Sequence, residues 1–542
     1  MIALYNSRLW KLSSYLIALV LIVPVLVMLV GGVSASTQLF IHLWQTVLPS
    51  YLENTVLLAF WVVLLALFFG VFSAGIITQT NIVFKQQLRW LLLLPLAMPA
   101  YLVAYLYTDL FDYAGPVQRG LRDWFGWQSP NDYWFFDIRT LPGAALMLAL
   151  VLFPYIYMLT RGAFEQQDQS LIRASRLLGL TAKQSFFKVA LPLARPAIAV
   201  SASLVLMETL ADFATVQYFS VNTLTTAIYD TWLGYGDLGA ANVLASILML
   251  LVFFVVLTEQ RSRAGIRHQS ARPNLNRELI QLSVSQQLIA SIFCWALVIL
   301  GFLLPLTLLI IMAVQYSDVA QLSVLLSTGV NSLKVSVFVA TIAVVIALLL
   351  GLYQRLHNDK YRKIPQVISG FGYAIPGTVL AMAMLSTLGP LDHWINGVVE
   401  YIGFSAPGLI LSGSIFAIVF ALVVRFSAIA NGTIASGIKQ IPQSLDYAPA
   451  TLGVNLKGSL TKVHLPILTP AILVAWLLVF VEAMKELPAV LLLRPFNFET
   501  LSSQIYQLIS DEMLEQGALG AILIVLFGLL PIVLLNKSKD KV

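Results

Sequence analysis

Twelve apolar stretches, each long enough to cross a lipid bilayer, limit what this chain can fold into. A transmembrane helix needs about 20 consecutive apolar residues. Of the 542 residues, 59% are hydrophobic and 11% are charged, whereas an ordinary soluble domain carries about 25% charged residues. Because such a composition cannot cover a water-facing surface, the sequence predicts an all-α polytopic membrane protein. The predicted spans are 15–34, 55–78, 88–107, 141–160, 189–212, 240–257, 288–314, 335–356, 364–388, 408–428, 465–487 and 519–535.

A polar, helix-like element interrupts the apolar pattern and occurs twice. Residues 166–198 recur as residues 439–472, and their glycines Gly179 and Gly453 are 274 residues apart. Over the last fourteen positions of the two copies, eight residues are identical. Each copy lies among six predicted spans, so the sequence predicts two parallel six-helix repeats. The predicted parts are a first half, 1–260 (core about 51–258), a cytoplasmic linker, 261–286, and a second half, 287–542 (core about 329–536).

Local sequence signals predict the shape of the duplicated element. In the first copy Ser170 is a candidate N-cap of a short helix, and Gly179 allows the backbone to turn. Thr181 and Gln184 have the spacing of a capping box, which predicts a second short helix. Pro192 then falls in the first turns of a long apolar helix. The second copy repeats this plan with Ser444, Gly453, Asn455 and Pro466.

Positive charges predict the orientation in the membrane. Lys and Arg concentrate in alternate loops, with Arg173, Lys183, Arg261, Arg355 and Lys457 as examples. Since cytoplasmic loops are enriched in these residues, both termini and both copies of the element are expected on the cytoplasmic side. The net charge of +6 is therefore a topology signal, and no nucleic-acid partner is predicted.

Four acids lie close to the ends of the predicted spans that follow the two copies. Glu208 and Asp212 are four residues apart, and so are Glu482 and Glu486, with Lys485 beside them. At this spacing each pair would share one helical face. Acids within spans are costly and indicate function by default, so these four are candidates for a gate on a cation pathway. The alternative is a structural role, such as an ion pair with Lys485.

Enzymatic chemistry has no sequence signature in this chain. A phosphate-binding GxxxxGK[ST] loop is absent from the sequence, and the five His residues do not have the spacing of metal ligands. We therefore predict a transport subunit that is not an enzyme, binds no cofactor and has no metal site.

The duplicated element resembles a signature of the permeases of binding-protein-dependent ABC importers, Ala-x4-Gly-x9-apolar-x-Leu-Pro. It reads Ala174, Gly179, Val189, Leu191 and Pro192, and again Ala448, Gly453, Val463, Leu465 and Pro466. The resemblance implies the type I importer fold, in which this element docks into an ATPase subunit. It departs from the family where a Glu usually precedes the Ala. The resemblance assigns coupling to the ATPase to Arg173, Ala174, Ser175, Gly179, Leu191, Pro192, Tyr447, Ala448, Pro449, Gly453, Leu465 and Pro466.

The resemblance also implies the partners and the location. Two copies of a separate ATPase would use ATP, an external or periplasmic binding protein would deliver the solute, and the chain would lie in the bacterial inner membrane. Residues 208–232, 485–508 and 95–107 look like the fused two-half permeases of ferric-iron importers. Fused permeases for thiamine or another small solute remain an alternative, and an ion-coupled secondary transporter is a second one.

Overall fold

The computed structural model describes residues 8–33, 37–264, 279–316, 319–357, 359–451 and 453–539. Within these ranges nearly all regular structure is helical, and the β-structure is one isolated bridge between Thr80 and Ile280. The predicted all-α membrane fold is therefore confirmed. Residues 265–278 of the predicted linker lie outside the described residues.

Ten helices of the described chain are long and apolar enough to cross a membrane, and two bent helix pairs raise the count to twelve. Each lies at a predicted span. We number the spans 1 to 12 in chain order, with the bent pairs as spans 3 and 9. The other ten spans are Arg8–Val33, Leu48–Gln79, Leu141–Gln166, Ala182–Ala211, Leu238–Glu259, Val284–Tyr316, Leu322–Leu356, Ile415–Gln440, Leu456–Lys485 and Leu514–Pro531.

Spans 3 and 9 are broken, which the sequence analysis did not predict. Span 3 bends by 91° between Lys85–Ala97 and Ala100–Phe125, and span 9 bends by 117° between Ile364–Ala374 and Gly377–Tyr401. A proline, Pro99 or Pro376, lies at each break in extended backbone. Proline has no N–H to donate and disfavours helical backbone in the residue before it. Both helices therefore stop and restart in a new direction.

Short helices, which were not predicted from the sequence, also follow spans 5 and 11. Ala214–Tyr218 and Leu224–Tyr229 follow span 5, and Pro488–Leu493 and Leu501–Ser510 follow span 11. These helices lie between spans 5 and 6 in the first half and between spans 11 and 12 in the second half.

Matched hydrogen bonds show that the sequence duplication is also structural. The Asn54 side chain donates to the carbonyl of Asn222 at 3.0 Å, and the Asn331 side chain donates to that of Glu499 at 3.0 Å. Likewise, the Leu224 N–H donates to Thr55 Oγ1 at 3.0 Å, as the Leu501 N–H does to Ser332 Oγ at 2.7 Å. In each repeat the loop between the last two spans is therefore fixed to the start of the repeat's second span.

The described chain forms two compact units that cut across the sequence halves. Unit 1 contains Met1–His42, Ala227–Met249 and Val319–Ile505, and unit 2 contains Leu43–Thr226, Leu250–Asp318 and Tyr506–Val542. The halves 1–260 and 287–542 describe the sequence repeat and stay a prediction.

Each unit contains the first span of the other half. In unit 1, the Trp10 indole N–H of span 1 donates to the Leu349 carbonyl at 3.2 Å, and Lys11 pairs with Asp359 at 2.7 Å. In unit 2, the Tyr107 hydroxyl donates to the carbonyl of Leu300 in span 7 at 2.6 Å. The first span of each half therefore packs against the main body of the other half.

Candidate functional site

The first copy of the duplicated element begins with the helix Gln169–Leu177. Its N-cap is Asp168, whose carboxylate accepts a hydrogen bond from the Ser170 N–H at 2.8 Å. The prediction of Ser170 as the cap was therefore wrong by two residues, because the helix already begins at Gln169 and Ser170 supplies one of its first N–H groups, which the Asp168 carboxylate accepts. This hydrogen bond lowers the pKa of Asp168 below its ordinary value.

A left-handed glycine ends the short helix in both copies. Gly179 has φ +88° and Gly453 has φ +70°. In the first copy the Leu180 N–H donates to the Ser175 carbonyl at 3.1 Å, and in the second the Val454 N–H donates to the Pro449 carbonyl at 2.9 Å. These bonds span six residues and define the Schellman turn, which requires positive φ at the glycine position. The predicted glycine turn is confirmed.

The helix after the turn starts where the capping signals predicted. The Thr181 N–H donates to Gln184 Oε1 at 2.9 Å, and the Gln184 N–H donates to Thr181 Oγ1 at 3.3 Å. In the second copy Asn455 Oδ1 accepts from the Gly458 N–H at 2.8 Å. The prediction of a separate second short helix was wrong, however, because each of these helices continues directly into span 5 or span 11.

A π-helical turn makes this continuity possible despite the prolines. It covers Phe186–Ala190 in the first copy and Leu460–His464 in the second, immediately before Leu191-Pro192 and Leu465-Pro466. Proline cannot donate a hydrogen bond, and its ring clashes with the carbonyl four residues earlier. The wider turn, with bonds spanning five residues, gives the ring room. The π-turn lies at the equivalent place in both copies.

Polar side chains connect the two parts of the first copy. The hydroxyl groups of Ser175 and Ser185 lie 2.6 Å apart and are buried, and the Gln167 side chain donates to the carbonyl of Ala190 at 2.7 Å. The short helix is therefore held against the base of span 5.

Charged side chains do the same in the second copy. The carboxylate of Asp446, in the helix Ser444–Thr451, accepts from Arg355 Nε at 2.9 Å and 3.0 Å. Its Oδ1 also lies 2.9 Å from His464 Nε2, and Nδ1 of the same ring lies 3.1 Å from the carbonyl of Ser459. We call Arg355, Asp446 and His464 the charged cluster. The charged cluster was not predicted from the sequence, where its signal is a set of titratable residues at the edges of apolar spans.

The predicted coupling residues divide into an exposed and a buried set. Arg173, Ala174, Tyr447 and Ala448 are exposed, as a docking surface requires. Ser175 and Pro449, at equivalent positions, are buried. Leu177 and Leu178, 89% and 86% exposed, extend the surface of the first copy with apolar side chains. Gly179 and Gly453 form the turns, and Leu191, Pro192, Leu465 and Pro466 follow the π-turns.

The candidate gate acids do not share helical faces as predicted, because their helices end too early. Span 5 ends at Ala211, so Asp212 lies in extended backbone, where it accepts from the Thr215 N–H at 3.1 Å and Thr215 Oγ1 at 2.9 Å. Glu208 is within the helix. Within unit 2, Asp212 therefore caps the short helix that follows span 5.

In unit 1 the second pair of acids has the same arrangement with an added cation. Span 11 ends at Lys485, so that Glu482 lies in the helix and Glu486 lies beyond its end. Glu486 Oε1 is 3.1 Å from Arg425 Nη1, and both side chains are more than nine-tenths buried. The ion pair neutralises Glu486. Among the described residues, no group of three or more His, Cys, Asp or Glu side chains could hold a metal ion.

Comparison with known proteins also shows the duplication of the chain. The model of the family "Binding-protein-dependent transport system inner membrane component" matches residues 66–263 and again residues 343–540. The chain is 24% identical to the Fe(3+)-transport system permease protein FbpB 2 of Haemophilus influenzae, over 94% of this chain and 93% of that protein.

Two further relatives differ in how much of the chain they cover. The ferric transport system permease protein FbpB of Actinobacillus pleuropneumoniae is 25% identical over 91% of this chain and 72% of its own length. The molybdenum transport system permease protein ModB of Escherichia coli is 31% identical over 41% of this chain and 96% of its own length. The match to ModB thus covers about half as much of this chain as the match to FbpB of Actinobacillus pleuropneumoniae.

Proposed function

Because this chain belongs to the inner-membrane components of binding-protein-dependent transport systems, we propose that it is the permease of an ABC importer that carries ferric iron into the cytoplasm. Its transport is driven by a separate ATPase, and the chain is not itself an enzyme. The observation that carries the iron assignment is near full-length similarity to a ferric-iron permease that has both halves in one chain. An ion-coupled secondary transporter is set aside, since such a protein has no use for two elements that dock an ATPase.

The partners follow from the family and from the duplication. A binding protein delivers the solute and an ATPase supplies the energy. With two coupling elements on one chain, one copy of the permease engages two copies of the ATPase. Both elements and both termini are on the cytoplasmic side, as the distribution of Lys and Arg supports. ATP binding closes the ATPase pair, which moves the coupling helices and switches access between the two sides of the membrane.

The acids after the coupling elements form part of the cation pathway in this proposal. Glu208 and Glu482 occupy equivalent positions, three residues before the ends of spans 5 and 11. Carboxylates along a pathway favour a cation and repel an anion. Glu486 contributes less to this field because Arg425 neutralises it, and Asp212 is committed to capping. Glu208 and Glu482 are the matched pair within the two spans, and they are the pair that the experiment below replaces.

A second candidate solute is molybdenum, favoured by the 31% identity to ModB. Uptake of radiolabelled iron, molybdenum and thiamine by cells with and without this gene distinguishes these solutes. We expect gene-dependent uptake of iron alone. Gene-dependent uptake of another solute and not of iron would refute the iron assignment.

The pathway acids are tested separately. Replacing Glu208 and Glu482 together by Gln preserves size and hydrogen bonding and removes both charges. Iron uptake at limiting concentration should fall, with expression unchanged. Unchanged uptake would show that the two acids are structural and would remove the electrostatic argument for a cation.

A further inference from the structure

The charged cluster joins three elements of unit 1 through one carboxylate. Asp446 lies in the helix Ser444–Thr451, which we call the second coupling helix. Arg355 lies in the last turn of span 8, and His464 lies at the end of the π-turn within span 11. The exposed fraction of their side chains is 16%, 12% and 0%, respectively. Charges shielded in this way from water interact far more strongly than surface ion pairs.

Arg355 extends the cluster to a fourth element. Besides its bonds to Asp446, its guanidinium donates to the carbonyl of Ile441 at 2.8 Å and to that of Pro442 at 3.2 Å. It also donates to the carbonyl of Ile438 in the last turn of span 10. A cation at this position satisfies carbonyls that the helix end leaves without backbone partners. Through Arg355, Asp446 is therefore connected to the ends of spans 8 and 10.

His464 completes the connection on the other side of the carboxylate. Its two ring nitrogens lie against two oxygen acceptors, the Asp446 carboxylate and the Ser459 carbonyl. Asp446 therefore contacts Arg355 and His464 at the same time, so that one substitution at Asp446 disturbs both contacts.

The first copy of the element cannot build this cluster. The position equivalent to Asp446 is Ile172 and the position equivalent to His464 is Ala190, each at the repeat offset of 274 residues. Neither side chain carries a charge or a hydrogen-bonding group. The first short helix is instead held by the Ser175–Ser185 hydroxyl pair. The two coupling elements, which are similar in backbone geometry, therefore differ in how they are attached to their spans.

From this asymmetry we infer that Asp446 is a positioning residue for coupling: it makes the second coupling helix move as one body with the ends of spans 8, 10 and 11. This inference rests on the proposed function and deepens it. With the cluster intact, a displacement of the helix by the ATPase is passed to three spans. Without the Asp446 charge, the helix moves on its own, so that ATP is hydrolysed and less solute is transported.

The test uses the full permease with its ATPase and binding protein in proteoliposomes, and measures iron uptake and ATP hydrolysis in the same samples. For Asp446→Asn we expect the ATP hydrolysed per iron transported to rise about tenfold, the factor that corresponds to loss of one charge-assisted hydrogen bond. Asp446→Glu retains the charge and should recover most of the coupling. A variant that only lowers the amount of folded protein would reduce both rates together and leave their ratio unchanged.

Two further variants keep the inference testable. Asp359→Asn removes a carboxylate from another ion pair of unit 1, with Lys11, which involves no coupling element, and should leave the ratio unchanged. If Asp446→Asn does not fold, Asp446→Leu combined with Arg355→Met removes both charges and should still raise the ratio. A ratio like that of the wild type in the folded Asp446 variants would refute the inference while leaving the proposed function intact. Failure of the wild-type complex to transport iron would instead refute the proposed function.

Discussion

Valine at the two turn glycines should lower both transport and substrate-stimulated ATP hydrolysis without preventing membrane insertion. Gly179 and Gly453 have φ +88° and +70°. Apart from the two neighbouring residues in the chain, no described residue has an atom within 4 Å of a Cβ added at either position. The penalty therefore comes from the backbone alone. A left-handed conformation costs an ordinary L-residue about 1–2 kcal/mol, and a β-branched residue tolerates it less well than others.

This energy sets the expected size of the effect. Since about 1.4 kcal/mol corresponds to a factor of ten, each substitution should lower the equilibrium constant for forming the native turn by about 5- to 30-fold. We expect both transport and substrate-stimulated ATP hydrolysis in proteoliposomes to fall in Gly179→Val, and further in the double variant with Gly453→Val. Asn adopts left-handed backbone more readily than other non-glycine residues, so Gly179→Asn should retain most activity.

Two helical glycines provide matched controls. Gly162 and Gly432 lie in spans 4 and 10, also with no described atom within 4 Å of an added Cβ, but their φ is not positive. Gly162→Val and Gly432→Val should therefore transport at wild-type rates. Wild-type transport by the Gly179→Val, Gly453→Val double variant would refute the role of the turns, and equal loss in the Asn and Val variants would refute the backbone argument.

Two other predictions concern assembly and stability. Native mass measurement of the detergent-purified complex should give one copy of this chain with two ATPase copies, because both coupling elements are on one chain; two copies of this chain per complex would contradict this. Glu486→Gln leaves Arg425 as a buried cation without its carboxylate partner, which typically costs about 3–5 kcal/mol. The thermal unfolding temperature of the purified permease should fall clearly below that of wild type, and an unchanged temperature would show that the ion pair contributes little.

The sequence was sufficient for features that depend on neighbouring residues. Apolar length located all twelve spans, and the Gly179 turn and the Thr181–Gln184 box followed from local backbone chemistry. The ends of spans 5 and 11 were predicted to within two residues, at 212 and 487 against Ala211 and Lys485. Asp212 and Glu486 lie just beyond these ends, so the helical spacing used to pair them with Glu208 and Glu482 does not apply. The bends at Pro99 and Pro376 were missed because apolar length does not record direction.

The charged cluster could not have been predicted from local patterns. Arg355 and Asp446 are 91 residues apart, and Asp446 and His464 are 18 residues apart. Each residue alone is typical of a polar loop at a membrane surface. Their common function as one attachment point appears only when spans 8 and 11 pack beside the coupling helix.

The placement of span 1 in unit 1 has a consequence for biosynthesis. Trp10 and its partner Leu349 are 339 residues apart in the chain. At a synthesis rate of 5–20 residues per second, this separation corresponds to about 20 to 70 s. During that time the parts of span 8 and of the following loop that Trp10 and Lys11 contact in the folded chain have not yet been synthesised. Span 1 can therefore reach its final packing only after span 8 has been synthesised. A polypeptide that stops after the first half contains neither unit in full.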